Sequence, residues 1–259
     1  MLSARQLHCL KGIGITPWIR RSSGFRQTDE PVADEVDVAL ETAPERAPEI
    51  QPEPRPQAAP PSIQQPESRA FSLNNWDDIE AGIQACQNCE LAQSCTRKVP
   101  GKGNRQADLM IIGEAPGRDE DLQGKPFVGR AGQLLDRMLQ AIELDLEQVY
   151  ITNILKCRPP NNRDPKQEET QACAAFLQAQ IKQLQPRVIF SVGRISAQTL
   201  LQDQSPLGRL RSKQYVLPQT DIPLLVTYHP AYLLRNPAEK AKVWQDLKAL
   251  KRLLQDANH

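Results

Sequence analysis

Residues 107–121 read "ADLMIIGEAPGRDED", and the stretch changes character at Gly113. Leu109 to Ile112 form an apolar run of the kind that fills the middle of a sheet. From Ile112 to Asp121 the chain then carries two glycines, one proline and four carboxylates. A plain strand-to-helix turn needs one glycine and a cap, so this loop is richer than packing demands. Three further runs share the strand character: residues 149–154, 188–192 and 224–228. Between them Leu134, Leu135, Met138, Leu139 and Ile142 make one helical stripe, and Phe176, Leu177, Ile181 and Leu184 make another. Strands alternating with helices predict an α/β domain, a three-layer α/β/α sandwich around a central, mostly parallel sheet. In such sheets ligands bind beyond the carboxyl ends of the strands. The four runs end in "GEAPG", "TNILKCRPPNNR", "SVGR" and "TYHPAYLLRNP", which puts most of the unusual residues on one edge. The strand therefore delivers its loop into a site.

Outward from that core the composition changes. Residues 1–26 carry five Lys/Arg and no acid, whereas residues 27–68 carry nine prolines, ten acids and two arginines. The second stretch cannot bury enough apolar surface to offset its ordering entropy and is expected to be a disordered linker, residues 27–70. Residues 71–259 form the globular domain. The formal charge of +1 marks no global field for nucleic acid or membrane, so any basic surface must be local. No run reaches the length of a signal peptide or a membrane span, and a cytoplasmic location is expected. Six cysteines in a reducing compartment are then thiols or metal ligands.

Four of those cysteines stand out. Cys86 and Cys89 form a C-x-x-C, and Cys157 and Cys173 lie far downstream. Four soft thiolates suit zinc or an iron–sulfur cluster; the wide separation of the second pair leans towards a [4Fe-4S] cluster. Cys95 reads as a bystander. His229 ends a strand and is followed at once by Pro230, so it projects into the edge site. Asn153, inside "VYITNIL", is a buried amide able to read a planar ring that shows a donor beside an acceptor. Phe127 sits in the glycine-flanked loop "QGKPFVGRAG". That loop lacks the G-K-[ST] ending of a phosphate loop, which excludes a nucleotide triphosphatase.

Taken in order, "CQNC", "GEAPGRDEDLQGKPFVGRAGQLLD", "ITNILKCRPPNNRDP", Cys173 and "YHPAYLLRNP" resemble the family-4 uracil-DNA glycosylases, the iron–sulfur branch of that superfamily. The resemblance covers about residues 75–250. Family 5 is disfavoured because it has an apolar residue where Glu114 stands. The resemblance implies removal of uracil from DNA as base excision repair, leaving an abasic site without strand cleavage. It implies that Cys86, Cys89, Cys157 and Cys173 hold a [4Fe-4S] cluster and that the backbone at Glu114 and Ala115 lines the uracil pocket. Phe127 would stack on the flipped base and Asn153 would bond its Watson–Crick edge. Glu120 would refuse the thymine methyl, and His229 would donate to a uracil carbonyl oxygen. Asn162 would orient water or a phosphate. The general-base aspartate of the wider superfamily is replaced by Ala115, leaving Glu114, or a water held by Asn162, for that work. Leu233 and Leu234 suit a wedge into the vacated stack, and Arg163, Arg194 and Arg235 suit phosphate contacts.

The head, "ARQLHCLKGIGITPWIRRSSGFR", is basic and amphipathic, the layout of a docking peptide on a tether. Its piece "GIGITPWIRR" is similar to the N-terminal peptide of the psi subunit of bacterial DNA polymerase III. That implies a clamp-loader contact through residues 1–26, with Trp18 as anchor. The expected partners are thus uracil-containing DNA and the replication machinery at the nucleoid, with no membrane and a monomeric chain. The alternative is a non-catalytic, metal-stapled DNA-binding or adaptor module. Such a module has no need of Glu114, Asn153 and His229 on one edge.

Overall fold

Alternation along the central strand sets the architecture. In the computed structural model, which describes Gly14 and residues 71–256 except Ser212, β2 (Leu109–Gly113) is buried at every position. Successive side chains of a strand point to opposite faces. Leu109 and Ile111 accordingly enter one core with Leu135, Met138, Leu247 and Leu250. Met110 and Ile112 enter a second core with Leu177, Ile181, Ala197 and Leu200. A strand buried on both faces needs helices on both, and that is the three-layer α/β/α arrangement expected.

The sheet has six strands in the order β1-β3-β2-β4-β6-β5. Its four inner strands, β2, β3 (Val149–Asn153), β4 (Val188–Val192) and β6 (Pro223–Thr227), are mutually parallel. Two short antiparallel strands close the edges, β1 (Lys102–Gly103) and β5 (Gln214–Val216). The four strand runs read from sequence are the four inner strands, each displaced by one residue or less.

Helix α1 (Trp76–Ala85) begins at Asn75, whose side chain accepts from the Asp78 amide, with Asp77 and Asp78 in the favourable first turn. It lays Ile79 and Ile83 against Phe176. The C-x-x-C follows it directly and leads into α2 (Leu91–Ser94). Short α3 (Arg118–Gln123) and longer α4 (Arg130–Ala141) follow β2. Helix α5 (Gln167–Leu184) follows β3, and α6 (Arg194–Leu201) follows β4. One-turn α7 (Leu207–Leu210) precedes β5, while α8 (Pro230–Arg235) and α9 (Lys240–Asp256) end the domain. Among the described residues, no helix is long and apolar enough to cross a membrane. The linker 27–70 and the head 1–26 lie outside the described residues, Gly14 excepted.

Candidate active site

The site grows from one pair in the sheet register. Gly113 ends β2 directly opposite Asn153, the last residue of β3. A methyl group on Gly113 would lie 2.3 Å from Asn153 Oδ1 and 3.0 Å from the Phe127 ring. Glycine here leaves the space that the amide and the ring occupy. Asn153 is buried, with 2 % of its surface exposed. The ladder continues past the strands, since Ile154 N donates to Gly113 O and Leu155 N to Glu114 O, both at 3.0 Å. The loop carrying Glu114 and Ala115 therefore runs beside the loop that carries Cys157.

Phe127 reaches this place in an unusual conformation. Its φ is +52°, in the left-handed region, which costs a non-glycine residue about 1–3 kcal/mol unless the surroundings hold it. Three contacts hold it. Glu120 Oε1 accepts from Val128 N at 3.0 Å and Gly129 N at 3.2 Å. Lys102 Nζ donates to Phe127 O at 3.1 Å. Gly132, in the first turn of α4, lets that carbonyl approach so closely that an added Cβ would sit 2.0 Å from it. The Phe127 ring then stacks beside the His229 imidazole, with centroids 5.6 Å apart and planes at 29°.

His229 is the N-cap of α8, and its Nδ1 accepts from Ala231 N at 3.1 Å. An accepting Nδ1 has no proton, so a neutral ring carries its proton on Nε2. Burial pushes the imidazole down to about 4, with Glu120 pulling it up and Arg235 pushing it further down. The ring is a neutral Nε2–H donor at physiological pH. Glu114 is half-buried, and burial raises its carboxyl above the ordinary range. Asp164 adds to that rise and Arg194 opposes it.

The five cysteines downstream of Cys9 gather in one region. Cys86, Cys157 and Cys173 are buried, and Cys89 and Cys95 are half-buried. Cys157 and Cys173 share an apolar cluster with Leu91 and Leu155, against which Cys89, Cys95 and Ala115 pack. Burial raises the thiols of Cys89, Cys157 and Cys173, and their neighbouring sulfurs raise them further. Among the described residues, the side chains are not drawn into a closed metal-ligand set. Their chemistry nevertheless fits one, since soft sulfurs from three distant segments meet in an apolar pocket. Cys95, set aside on sequence, lies within hydrogen-bond reach of Cys157.

Other expected site residues have different surroundings. Leu233 is 1 % exposed and belongs to the main core, so it is not available as a wedge; Leu234, 37 % exposed, is. Adjacent helical residues point about 100° apart, which separates the two. Arg163 is bound through both terminal nitrogens to buried Glu169. Arg194 pairs with Asp164 at 2.5 Å and Gln198 at 3.2 Å. Arg235 is exposed beside the site. Asn162 is exposed, with a left-handed φ of +53°, and its Oδ1 accepts from Arg158 Nε at 2.8 Å. Lys102 and Gly113 were not foreseen. A broad groove lined by Gln171, Gln178, Gln198 and Leu217 among others contains none of the expected site residues.

The model of the uracil DNA glycosylase superfamily matches residues 100–248. The chain is 42 % identical over 184 residues to a type-4 uracil-DNA glycosylase of Archaeoglobus fulgidus, covering 69 % of this chain and 92 % of that protein. It is 42 % identical over 189 residues to the type-4 enzyme of Saccharolobus solfataricus, covering 70 % and 88 %. To the type-4 enzyme of Thermotoga maritima it is 37 % identical over 184 residues, covering 67 % and 91 %.

Proposed function

The chain belongs to the uracil-DNA glycosylase superfamily, and from that we propose how its edge site hydrolyses the N-glycosidic bond of deoxyuridine in DNA. It is a base excision repair enzyme of the type-4 kind, releasing uracil and leaving an abasic site. The single observation that carries the mechanism is the convergence of Gly113, Asn153, Phe127 and His229. One face stacks, one amide reads and one neutral imidazole donates.

The target base must leave the helix, at a cost of a few kcal/mol. Stacking on Phe127 returns about 1–3 kcal/mol, and the Asn153 amide pairs with the donor and acceptor of the uracil edge. Glu120, besides clamping the Phe127 loop, is the residue we place against a 5-methyl group. As the bond between the base nitrogen and C1′ breaks, the electron pair stays with uracil and negative charge builds on its O2. His229 Nε2–H stabilises that charge without itself ionising. Water adds to C1′, and its proton goes to Glu114, whose raised pKa suits a base, or to solvent through a water oriented by Asn162. Leu234 and Arg235, next to His229, fill the vacated stack and hold a phosphate.

We place a [4Fe-4S] cluster on Cys86, Cys89, Cys157 and Cys173. Those four cysteines would hold it, and would thereby tie together the turn after α1, the loop after β3 and helix α5. The docking role of residues 1–26 and the clamp-loader contact rest on sequence alone.

The purified protein should release uracil from a uracil-containing oligonucleotide and leave an alkali-labile site. Its rate should show no loss due to His229 between pH 8 and 6, because a group titrating near 4 stays neutral there. The sign also bears on stability. A histidine lowered from 6.5 to about 4 stabilises the fold above 6.5, and that contribution is lost as pH falls towards 4. Retention of the Nε2–H neutral tautomer at pH 6, read by nitrogen NMR of the ring, is the direct check. An imidazolium there would contradict it.

Gly113→Ala should weaken binding of uracil-containing DNA by roughly 5–150-fold, the equivalent of an overpacking cost of about 1–3 kcal/mol. The added methyl must displace Asn153 or Phe127, while binding of undamaged DNA should be untouched. Equal losses on both DNAs would mean that Gly113 serves the fold and not the pocket.

A further inference from the structure

A buried ion pair lies behind His229 and plays no part in the chemistry above. Arg211 and Asp246 have side chains only 10 % and 5 % exposed. Arg211 Nη2 donates to Asp246 Oδ1 at 2.7 Å and Arg211 Nε to Oδ2 at 3.2 Å. A buried pair of this kind is a poor stabiliser compared with apolar residues of similar volume, so packing alone gives little reason for it. Its remaining contacts lead towards the site. Thr227, the last residue of β6, is fully buried and donates its hydroxyl to Asp246 Oδ2 at 2.7 Å. The Arg211 guanidinium lies over the Tyr228 ring, 5.3 Å from its centroid, and also donates to Lys242 O at 3.0 Å. Tyr228 in turn stacks on Tyr232 of α8, with centroids 5.1 Å apart.

Thr227 and Tyr228 are the two residues immediately before His229. We propose that Asp246 and Arg211 are positioning residues, which fix the approach of β6 to His229 from α9 and from the segment before β5. They hold the imidazole where its Nε2–H meets the leaving base. The inference rests on His229 as the donor named above. A preorganised donor must be placed within about 0.5 Å, and a misplacement of about 1 Å can cost roughly a hundredfold in rate. Thr227 is held from its other side as well, since its carbonyl accepts from Gly193 N at 2.9 Å. Only its hydroxyl depends on the ion pair.

The test is a double-mutant cycle on single-turnover uracil release, with Thr227→Val as the gentle variant. It keeps the shape and the ion pair and removes one hydrogen bond. Thr227→Val should slow release about tenfold, short of the hundredfold for a full 1 Å displacement, with DNA affinity within about twofold of wild type. In a His229→Ala background the same change should have no further effect. Asp246→Asn, which keeps an acceptor for Thr227 but loosens Arg211, should behave the same way. A wild-type rate for both variants, or equal slowing in both backgrounds, would overturn the proposal and leave the pair a structural role. If His229→Ala itself left the rate unchanged, the donor reading would fail first, independently of this one.

Discussion

His229→Ala should slow single-turnover release of uracil by about a hundred- to a thousandfold, the usual cost of one preorganised donor to a developing anion. Binding of uracil-containing DNA should change little. The reason is in the geometry. The ring is held by Ala231 N on Nδ1, flanked by Phe127 and kept neutral by burial. Its Nε2–H therefore makes an ordinary hydrogen bond to a neutral uracil carbonyl, and a stronger one once that oxygen carries charge. An interaction that strengthens only in the transition state lowers the rate constant when removed, not the affinity. His229→Gln is the informative companion. It offers an N–H on a flexible arm and should recover only part of the loss, because the imidazole's fixed direction is gone. A variant with near wild-type rate and poor DNA binding would move His229 from chemistry to DNA positioning.

Much of the fold, and the gathering of these residues on one sheet edge, is legible in the sequence, for physical reasons that differ by residue. The inner strands announced themselves because burial on both faces demands unbroken apolar runs. The edge strands did not. Residues 102–103 and 214–216 are short, half-exposed and carry no alternation long enough to read. Asn153 was identifiable because a polar amide in an apolar strand needs partners. Its opposite number Gly113 was visible only as a turn signal, since sheet register is set by tertiary pairing. Glu120 shows the limit in another form. Its carboxylate could be expected near the pocket, but that it holds Val128 and Gly129, and so the strained Phe127, depends on contacts across a loop. Leu233 and Leu234 were indistinguishable in sequence because the rotation of a one-and-a-half-turn helix is decided by the core it lies on. Arg163 and Arg194 read as free cations, whereas Glu169 and Asp164 claim them in the fold.

With the four proposed ligands holding a [4Fe-4S] cluster, Cys157→Ala should cost the protein its colour and much of its stability, and Cys95→Ala should cost neither. The argument begins with what the thiols tie together. Cys86 and Cys89 follow α1, Cys157 leaves β3 four residues after Asn153, and Cys173 lies in α5. Thiols buried side by side resist ionising, and burial raises Cys89, Cys157 and Cys173 above the ordinary thiol range. They become thiolates when a cationic metal centre repays the charge. The local field is prepared for that. The Lys156 backbone N–H, and after it the side-chain charge, favour the Cys173 thiolate. Its fully buried Nζ, which burial lowers to about 7, donates to Thr152 Oγ1, Gln180 Oε1 and Asn153 O, each at 2.7 Å. The same Nζ thus touches the backbone of Asn153, so loosening the cysteine region should loosen that residue as well. Losing a cross-link of this kind, by analogy with a removed disulfide, costs about 2–5 kcal/mol. In a domain of this size that lowers the melting midpoint by roughly 4–20 °C. Uracil affinity should fall in the fraction that stays folded, because Asn153 has lost its brace. Cys95 is not among the four proposed ligands, so its loss should spare the colour and remove only a weak contact with Cys157. Iron content, visible absorbance and the melting midpoint of both variants decide the matter. Stoichiometric zinc without iron after anaerobic purification, or equal loss of colour from Cys95→Ala, would contradict the assignment of the four ligands.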